Sequence, residues 1–109
     1  MKEAVILKKI REYLKIEYGC TVHKFIGTPM TERGHADLYG TTPDGRAYFI
    51  EVKSPTAKKD IVRTQYQRIF LYREQLNGAL VGFASSLDDV DQIMAGVDTL
   101  DIYDEAYET

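Results

Sequence analysis

The stretch that decides the fold runs from residue 35 to residue 53 and reads HADLYGTTPDGRAYFIEVK. Its two ends are rich in apolar and aromatic residues, which is typical of strands, and Pro43-Asp44-Gly45 between them is a strong turn signal. The stretch therefore predicts an antiparallel hairpin. We expect a three-residue loop with Gly45 at the positive-φ bulge position, which glycine adopts without steric cost.

This loop fixes the register of the hairpin. Thr42 then faces Arg46 and, further along, Asp37 faces Glu51. Directly opposed side chains lie on one face of the sheet with Cβ atoms about 5 Å apart. Lys53 shares the face of Glu51, because alternate residues of a strand point the same way. A two-residue loop would shift the register by one residue and separate these groups.

Two carboxylates and an ammonium group on one face suggest phosphoryl chemistry. Adjacent carboxylates repel each other unless a cation lies between them. Hard oxygen ligands select Mg²⁺ or Mn²⁺, which neutralise phosphoryl charge and lower the pKa of a bound water. Lys53 would orient that water or stabilise charge at phosphorus. The alternative is a surface ion pair between Lys53 and Asp37 or Glu51, which contributes little.

The remaining elements follow from periodicity and capping signals. The predicted elements are a helix over residues 2–18, a strand over 21–26, strands at 35–40 and 47–53, a helix over about 60–76 capped by Asp60, a strand over 79–84, and a helix over 87–94 capped by Ser85 or Ser86. The order α-β-β-β-α-β-α predicts a small α/β domain built on a mixed sheet flanked by helices. The second helix is expected to bury Ile61, Val62, Tyr66, Ile69, Phe70 and Leu76.

Composition and charge narrow the class of protein. A chain of 109 residues suits one compact domain. All 14 Lys and Arg lie in residues 1–73 beside eight acidic residues, whereas residues 74–109 hold nine acidic residues and no basic one. This asymmetry favours a polyanionic partner, although a solvated acidic tail would also explain it.

Cys20 is the only cysteine, which excludes a disulfide framework and a cysteine-based structural zinc site. No apolar run suits a membrane span or a signal peptide, so we expect a soluble intracellular protein.

Other residues are weaker candidates for the site and its surroundings. Glu3 extends the apolar stripe of the first helix, although an acid at the end of such a stripe is more often a surface group that reaches water. Gln67 borders the Tyr66 and Phe70 side of the second helix and could hydrogen-bond a phosphate or a catalytic carboxylate, although a glutamine there is more often a partly exposed helix residue. His35 would lie opposite Lys53, within reach of a phosphate, or simply at the rim. The basic residues placed to contact backbone phosphates are Lys24, Arg33, Lys58, Lys59 and Arg63, although any one of them is more often an ordinary surface residue.

The 35–53 motif, followed by Thr64, Gln67 and the segment GALVGFASSLDDV, resembles the VRR-NUC domain. This is the virus-type replication–repair nuclease branch of the PD-(D/E)XK phosphodiesterases. The resemblance runs from Glu3 to about Met94 and is greatest to the minimal stand-alone form of phage and bacterial genomes. It implies a restriction-endonuclease-like core, here residues 1–95, with residues 96–109 as an acidic extension of the same domain. Ala36 and Thr64 depart from the usual proline and serine, and neither change removes a ligand.

The resemblance also implies roles for single residues. Asp37 and Glu51 would hold Mg²⁺ or Mn²⁺ with the Val52 carbonyl, Glu3 would complete or support the metal site, Lys53 would assist the attacking water, and Gln67 would lie beside them. The function so implied is a divalent-metal-dependent DNA endonuclease, acting as a homodimer on branched DNA such as four-way junctions or flaps.

The resemblance further implies that the protein acts in replication, recombination or repair, in the cytoplasm of a bacterium or of a phage-infected host. Two alternatives remain at this point. One is a non-catalytic nucleic-acid-binding module, and the other is an interaction subunit of a larger DNA-processing complex.

Overall fold

The computed structural model describes residues 2–28, 30, 33–55 and 61–100. The elements are α1 (Glu3–Ile16), β1 (His23–Lys24), β2 (Leu38–Thr41), β3 (Ala47–Val52), α2 (Ile61–Leu76), β4 (Leu80–Ala84) and α3 (Leu87–Met94). Their order confirms the predicted α-β-β-β-α-β-α arrangement. Among the helices described, none has both the length and the apolar character that crossing a membrane requires.

The four strands form one mixed sheet in the order β1-β2-β3-β4. The β1–β2 and β2–β3 pairs are antiparallel, and β3 pairs with β4 in parallel. Leu38 opposes Ile50, which is the predicted register of the hairpin. The turn closes through Thr42 N–H, which donates to the Arg46 carbonyl at 2.8 Å, and Gly45 has φ +87°. Both the register and the three-residue loop are therefore confirmed.

Alternation along β3 sends its side chains into two separate cores. Tyr48, Ile50 and Val52 pack with buried residues of α1 and α3, forming the first core cluster. Phe49 packs on the other face with Phe70 and Leu71 of α2, in the second core cluster. Since strand residues alternate, Glu51 and Phe49 lie on the same face. The carboxylate of Glu51 is thereby directed towards α2.

Several boundaries differ from those expected. Helix α1 ends at Ile16 instead of residue 18, and β1 comprises only His23 and Lys24. His23 and Lys24 pair with Tyr39 and Leu38 of β2. The N-cap predicted at Asp60 lies outside the described residues. Helix α3 begins as expected, since the Ser86 side chain accepts a hydrogen bond from Asp89 N–H.

The prediction for the buried face of α2 is largely wrong. Its buried residues are Gln67, Phe70 and Leu71. At about 100° per residue these three share a narrow stripe, and only that stripe faces the sheet. The other apolar residues lie beside or opposite it and stay exposed: Ile61 57%, Val62 59%, Tyr66 39%, Ile69 39% and Leu76 68%. Helical periodicity alone does not distinguish these two faces.

The first part of the expected acidic extension packs onto the domain. Leu100 is 1% exposed and belongs to the second core cluster. Residues 101–109 lie outside the described residues.

Candidate active site

The carboxylates of Asp37 and Glu51 are fixed by reciprocal bonds across the β2–β3 hairpin. Asp37 N–H donates to Glu51 Oε1 at 3.1 Å, and Val52 N–H donates to Asp37 Oδ2 at 3.0 Å. Asp37 directly precedes β2, where the Leu38–Ile50 register continues to place it opposite Glu51. The two carboxylates are therefore adjacent, as the hairpin geometry predicts.

Two further side chains converge on the Glu51 carboxylate. Gln67 Nε2 donates to Glu51 Oε2 at 2.9 Å, and Lys53 Nζ lies 3.8 Å from the same oxygen. The Lys53 side chain is 32% exposed, whereas that of Glu51 is 3% exposed. The ammonium group is therefore partly exposed to solvent, whereas the carboxylate beside it is buried. Sequence reasoning selected all four residues, and the structure brings them together.

Burial and, after it, the nearby Asp37 charge raise the pKa of Glu51 to about 8, with Lys53 acting in the opposite direction. Desolvation disfavours the charged form of a carboxyl group, and a second carboxylate adds repulsion. Without a further cation, the buried carboxyl therefore holds a proton near neutral pH. A buried carboxyl group that resists ionisation in this way is a candidate for function.

The donor set fits a hard divalent cation. Gln67 Oε1 is buried and has no hydrogen-bond partner among the described residues, so one acceptor oxygen remains to be satisfied beside the carboxylates. Asp37 and Glu51 offer further oxygen lone pairs, since each carboxylate oxygen accepts more than one bond. A divalent cation would offset the repulsion that keeps Glu51 protonated. Together with the Val52 carbonyl, these acids match the oxygen ligands that Mg²⁺ and Mn²⁺ prefer.

Glu3 does not join this cluster. Its side chain is exposed in the first turn of α1, and α1 packs in the first core cluster, on the face of the sheet away from Glu51. Within the part of the chain that the structure describes, no three His, Cys, Asp or Glu side chains are grouped closely enough to hold a metal ion. The apolar stripe of α1 therefore ends in a solvated acid, as the simpler interpretation of Glu3 expects.

The residues expected to contact DNA differ in how exposed their side chains are. Lys24, Arg33 and Arg63 are exposed. The His35 ring instead stacks on Phe25 at 3.7 Å between centroids and also packs against Phe70 at 4.5 Å. It is part of an aromatic cluster between the sheet and α2, which leaves it only half-exposed. Lys58 and Lys59 lie outside the described residues.

Sequence reasoning missed a second cation beside the site. The Arg68 guanidinium carbon lies 5.6 Å from the centroid of the Phe83 ring, and Lys53 Nζ lies 5.9 Å from the same centroid. Phe83 pairs with Glu51 in the parallel β3–β4 ladder. Both cations are thus held at one aromatic ring by cation–π attraction. The position of Arg68 directly after Gln67 was the available signal, but only the parallel pairing locates Phe83.

Comparison with known proteins agrees with this arrangement. A solved structure described as a VRR_NUC domain matches with a TM-score of 0.63 and 26% sequence identity, over 85% of this chain and 94% of that one. No protein-family profile matches the chain, and no curated protein does. The resemblance inferred from the motif thus extends to the backbone of nearly the whole domain.

Proposed function

We propose that this chain, which has the VRR-NUC fold of a nuclease-family domain, is a divalent-metal-dependent DNA endonuclease that hydrolyses phosphodiester bonds. The observation that carries the proposal is the Asp37–Glu51 pair, fixed by reciprocal bonds to the hairpin backbone with Lys53 and Gln67 at Glu51. A purely structural role would not require two adjacent carboxylates here, since burial and mutual repulsion oppose the ionisation of Glu51.

Asp37, Glu51 and the Val52 carbonyl would hold Mg²⁺ or Mn²⁺, which supplies charge neutralisation at phosphorus and lowers the pKa of water. The protein itself would orient the two carboxylates that hold the metal. Val52 N–H holds the Asp37 carboxylate in place, and Gln67 holds that of Glu51. The Lys53 ammonium, next to Glu51 and partly exposed, is placed to orient the attacking water or to stabilise the charge that develops on phosphoryl oxygens.

DNA is the proposed substrate. Exposed cations at Lys24, Arg33 and Arg63 and the basic character of residues 1–73 suit a phosphate backbone, which accounts for much of the affinity of such complexes. Lys58 and Lys59 belong to the same proposal on the basis of sequence. Following the resemblance, we propose selectivity for branched DNA, such as four-way junctions or flaps, formed in replication, recombination or repair in a bacterial or phage-infected cytoplasm.

We also propose that the active form is a homodimer, with one site for each of two strands. The support is the outer face of α2, on which Val62, Ile69 and Leu76 recur one heptad apart and are exposed. A second copy of the same face would bury this stripe by pairing the two helices, as an isologous interface requires. Two sites related by a two-fold axis would match the symmetry of a four-way junction.

Cleavage of labelled four-way junction, flap and linear duplex with Mg²⁺, Mn²⁺ or EDTA tests the proposal. We expect metal-dependent cutting that Asp37→Asn and Lys53→Ala reduce by about two orders of magnitude or more. Glu3→Gln should stay within a few-fold of wild type, since the Glu3 side chain is exposed and, among the described residues, is not grouped with Asp37 and Glu51. The exposed Glu12→Gln variant is the matched control. Undiminished cutting by Asp37→Asn protein would remove this mechanism, whereas binding without turnover would favour a non-catalytic module.

A further inference from the structure

Of the loop over residues 25–34 the structure describes residues 25–28, 30, 33 and 34, and the first and last of these lie beside the proposed active site. At its start, Phe25 N–H donates to the carbonyl of Asp37 at 2.7 Å, and the Phe25 ring stacks on His35. At its end, Gly34 lies so close to α2 that a Cβ there would be 2.4 Å from the Tyr66 carbonyl oxygen. The residue after Tyr66 is Gln67, which binds Glu51. One end of the loop is therefore hydrogen-bonded to the backbone of Asp37, and the other lies against the backbone of Tyr66 and Gln67.

This loop presents two large apolar side chains to solvent. Ile26 is 81% exposed and Met30 is 94% exposed, the highest values among the exposed large apolar residues described. We call Ile26 and Met30 the wedge pair. Single exposed apolar residues are ordinary on a protein surface, but these two share one short loop, and neither contributes to either core cluster. Within the part of the chain that the structure describes, nothing buries them.

Along the sequence, an exposed cation lies on either side of the wedge pair. Lys24 precedes the loop and is exposed. Arg33, near its end, is also exposed; its guanidinium carbon is held 4.2 Å from the Tyr66 ring centroid. An apolar pair between two cations complements a nucleic acid whose bases are unstacked, since the phosphates meet the cations and the base faces meet the apolar side chains.

We propose that Ile26 and Met30 form a wedge that contacts unstacked bases, so that this loop makes the protein prefer DNA with interrupted stacking over continuous duplex. The inference rests on the proposed nuclease function. In continuous duplex the base faces are covered by their neighbours, and inserting a side chain requires unstacking a step. At a junction, flap or bulge the stacking is already broken, so the same contact forms without that cost. The loop then determines which DNA structures are bound, while the site at Asp37 and Glu51 hydrolyses the phosphodiester bond that lies next to it.

Binding in EDTA separates this contact from catalysis. Dissociation constants would be measured by fluorescence anisotropy for a linear duplex, the same duplex with a single-nucleotide bulge, and a four-way junction. We expect the Ile26→Ser/Met30→Ser double variant to bind bulged and branched DNA on the order of tenfold more weakly while its affinity for linear duplex is unchanged. Lys24→Ala should instead weaken binding to all three by a similar factor, because phosphate contacts carry no information on stacking.

The control is Ile16→Ser, which removes a side chain that is 78% exposed on α1, in the layer on the other side of the sheet. A 2-aminopurine base at the bulge reports stacking directly, and its fluorescence should rise on binding wild type but not the double variant. An unchanged ratio of branched to linear affinity in the double variant overturns the wedge, and points to a protein-docking role for the pair. If wild type still cuts branched DNA in that case, the nuclease proposal stands; if wild type neither binds nor cuts DNA, both proposals fail.

Discussion

Replacing Glu51 by glutamine is expected to stabilise the metal-free protein at neutral and mildly alkaline pH. Glu51 is 2% exposed, and burial together with the Asp37 charge raises its pKa from 4.5 to about 8. A raised carboxyl pKa means that the folded state binds the proton more tightly than the unfolded state does. The associated stability is therefore fully present below about pH 4.5 and is lost as the pH rises towards 8.

The size of this effect follows from the same pKa. At about 1.4 kcal/mol per pH unit, the shift corresponds to about 5 kcal/mol once Glu51 is fully ionised, and to about 3 kcal/mol between pH 5 and pH 8. Glutamine removes the charge at nearly constant volume. The Gln67 Oε1 atom, which has no hydrogen-bond partner among the described residues, can then accept from the new amide after a rotation of the Gln67 side chain.

Urea unfolding followed by circular dichroism in EDTA measures the effect directly. Wild type and the Glu12→Gln control should lose about 3 kcal/mol of unfolding free energy between pH 5 and pH 8, whereas Glu51→Gln should lose much less. Adding Mn²⁺ at pH 8 should recover about 2.7 kcal/mol for wild type at a hundredfold excess over its dissociation constant, and none for Glu51→Gln. Equal pH slopes for wild type and Glu51→Gln would refute the argument, because they would mean that the carboxyl ionises in the folded state as readily as in water.

Two predictions concern other parts of the molecule. Ile69→Lys on the outer face of α2 should convert a dimer to a monomer in light scattering at equal concentration with the fold retained, while Ile16→Lys on α1 should not; a wild-type monomer would contradict the dimer. Gly34→Ala should lower the unfolding free energy by about 2–4 kcal/mol, because φ is +82° and a Cβ would lie 2.4 Å from the Tyr66 carbonyl oxygen. Gly27→Ala meets only a side chain at 3.5 Å and should be near neutral; similar losses in both variants would contradict this explanation.

The hairpin shows how far local sequence reaches. Proline and glycine in the turn dictate the loop length, the loop length dictates the register, and the register places Asp37 opposite Glu51. Each step involves residues close in sequence. The order of the elements and the cap of α3 at Ser86 follow in the same way, since both depend on local periodicity and hydrogen bonding.

Helix α2 shows where that reasoning ends. Its apolar residues occur on more than one side, and the sequence does not state which side meets the sheet. The structure buries Gln67 with Phe70 and Leu71 and leaves Val62 and Leu76 exposed. The choice depends on contacts with β3 and β4, which are distant in sequence from much of the helix. The polar Gln67 is buried because its partner, Glu51, is buried opposite it.

Sequence by itself determined the pairing of the two carboxylates, because the length of the tight turn fixes which residues of the two strands lie opposite each other. Only the tertiary structure decided what surrounds them. The parallel β3–β4 pairing places Phe83 and its two cations beside Glu51, and packing of α2 removes Glu51 from water. The structure also leaves Glu3 exposed and, among the described residues, not grouped with the pair. Burial and long-range neighbours set the pKa of a carboxyl group, and neither can be obtained from the spacing of residues along the chain.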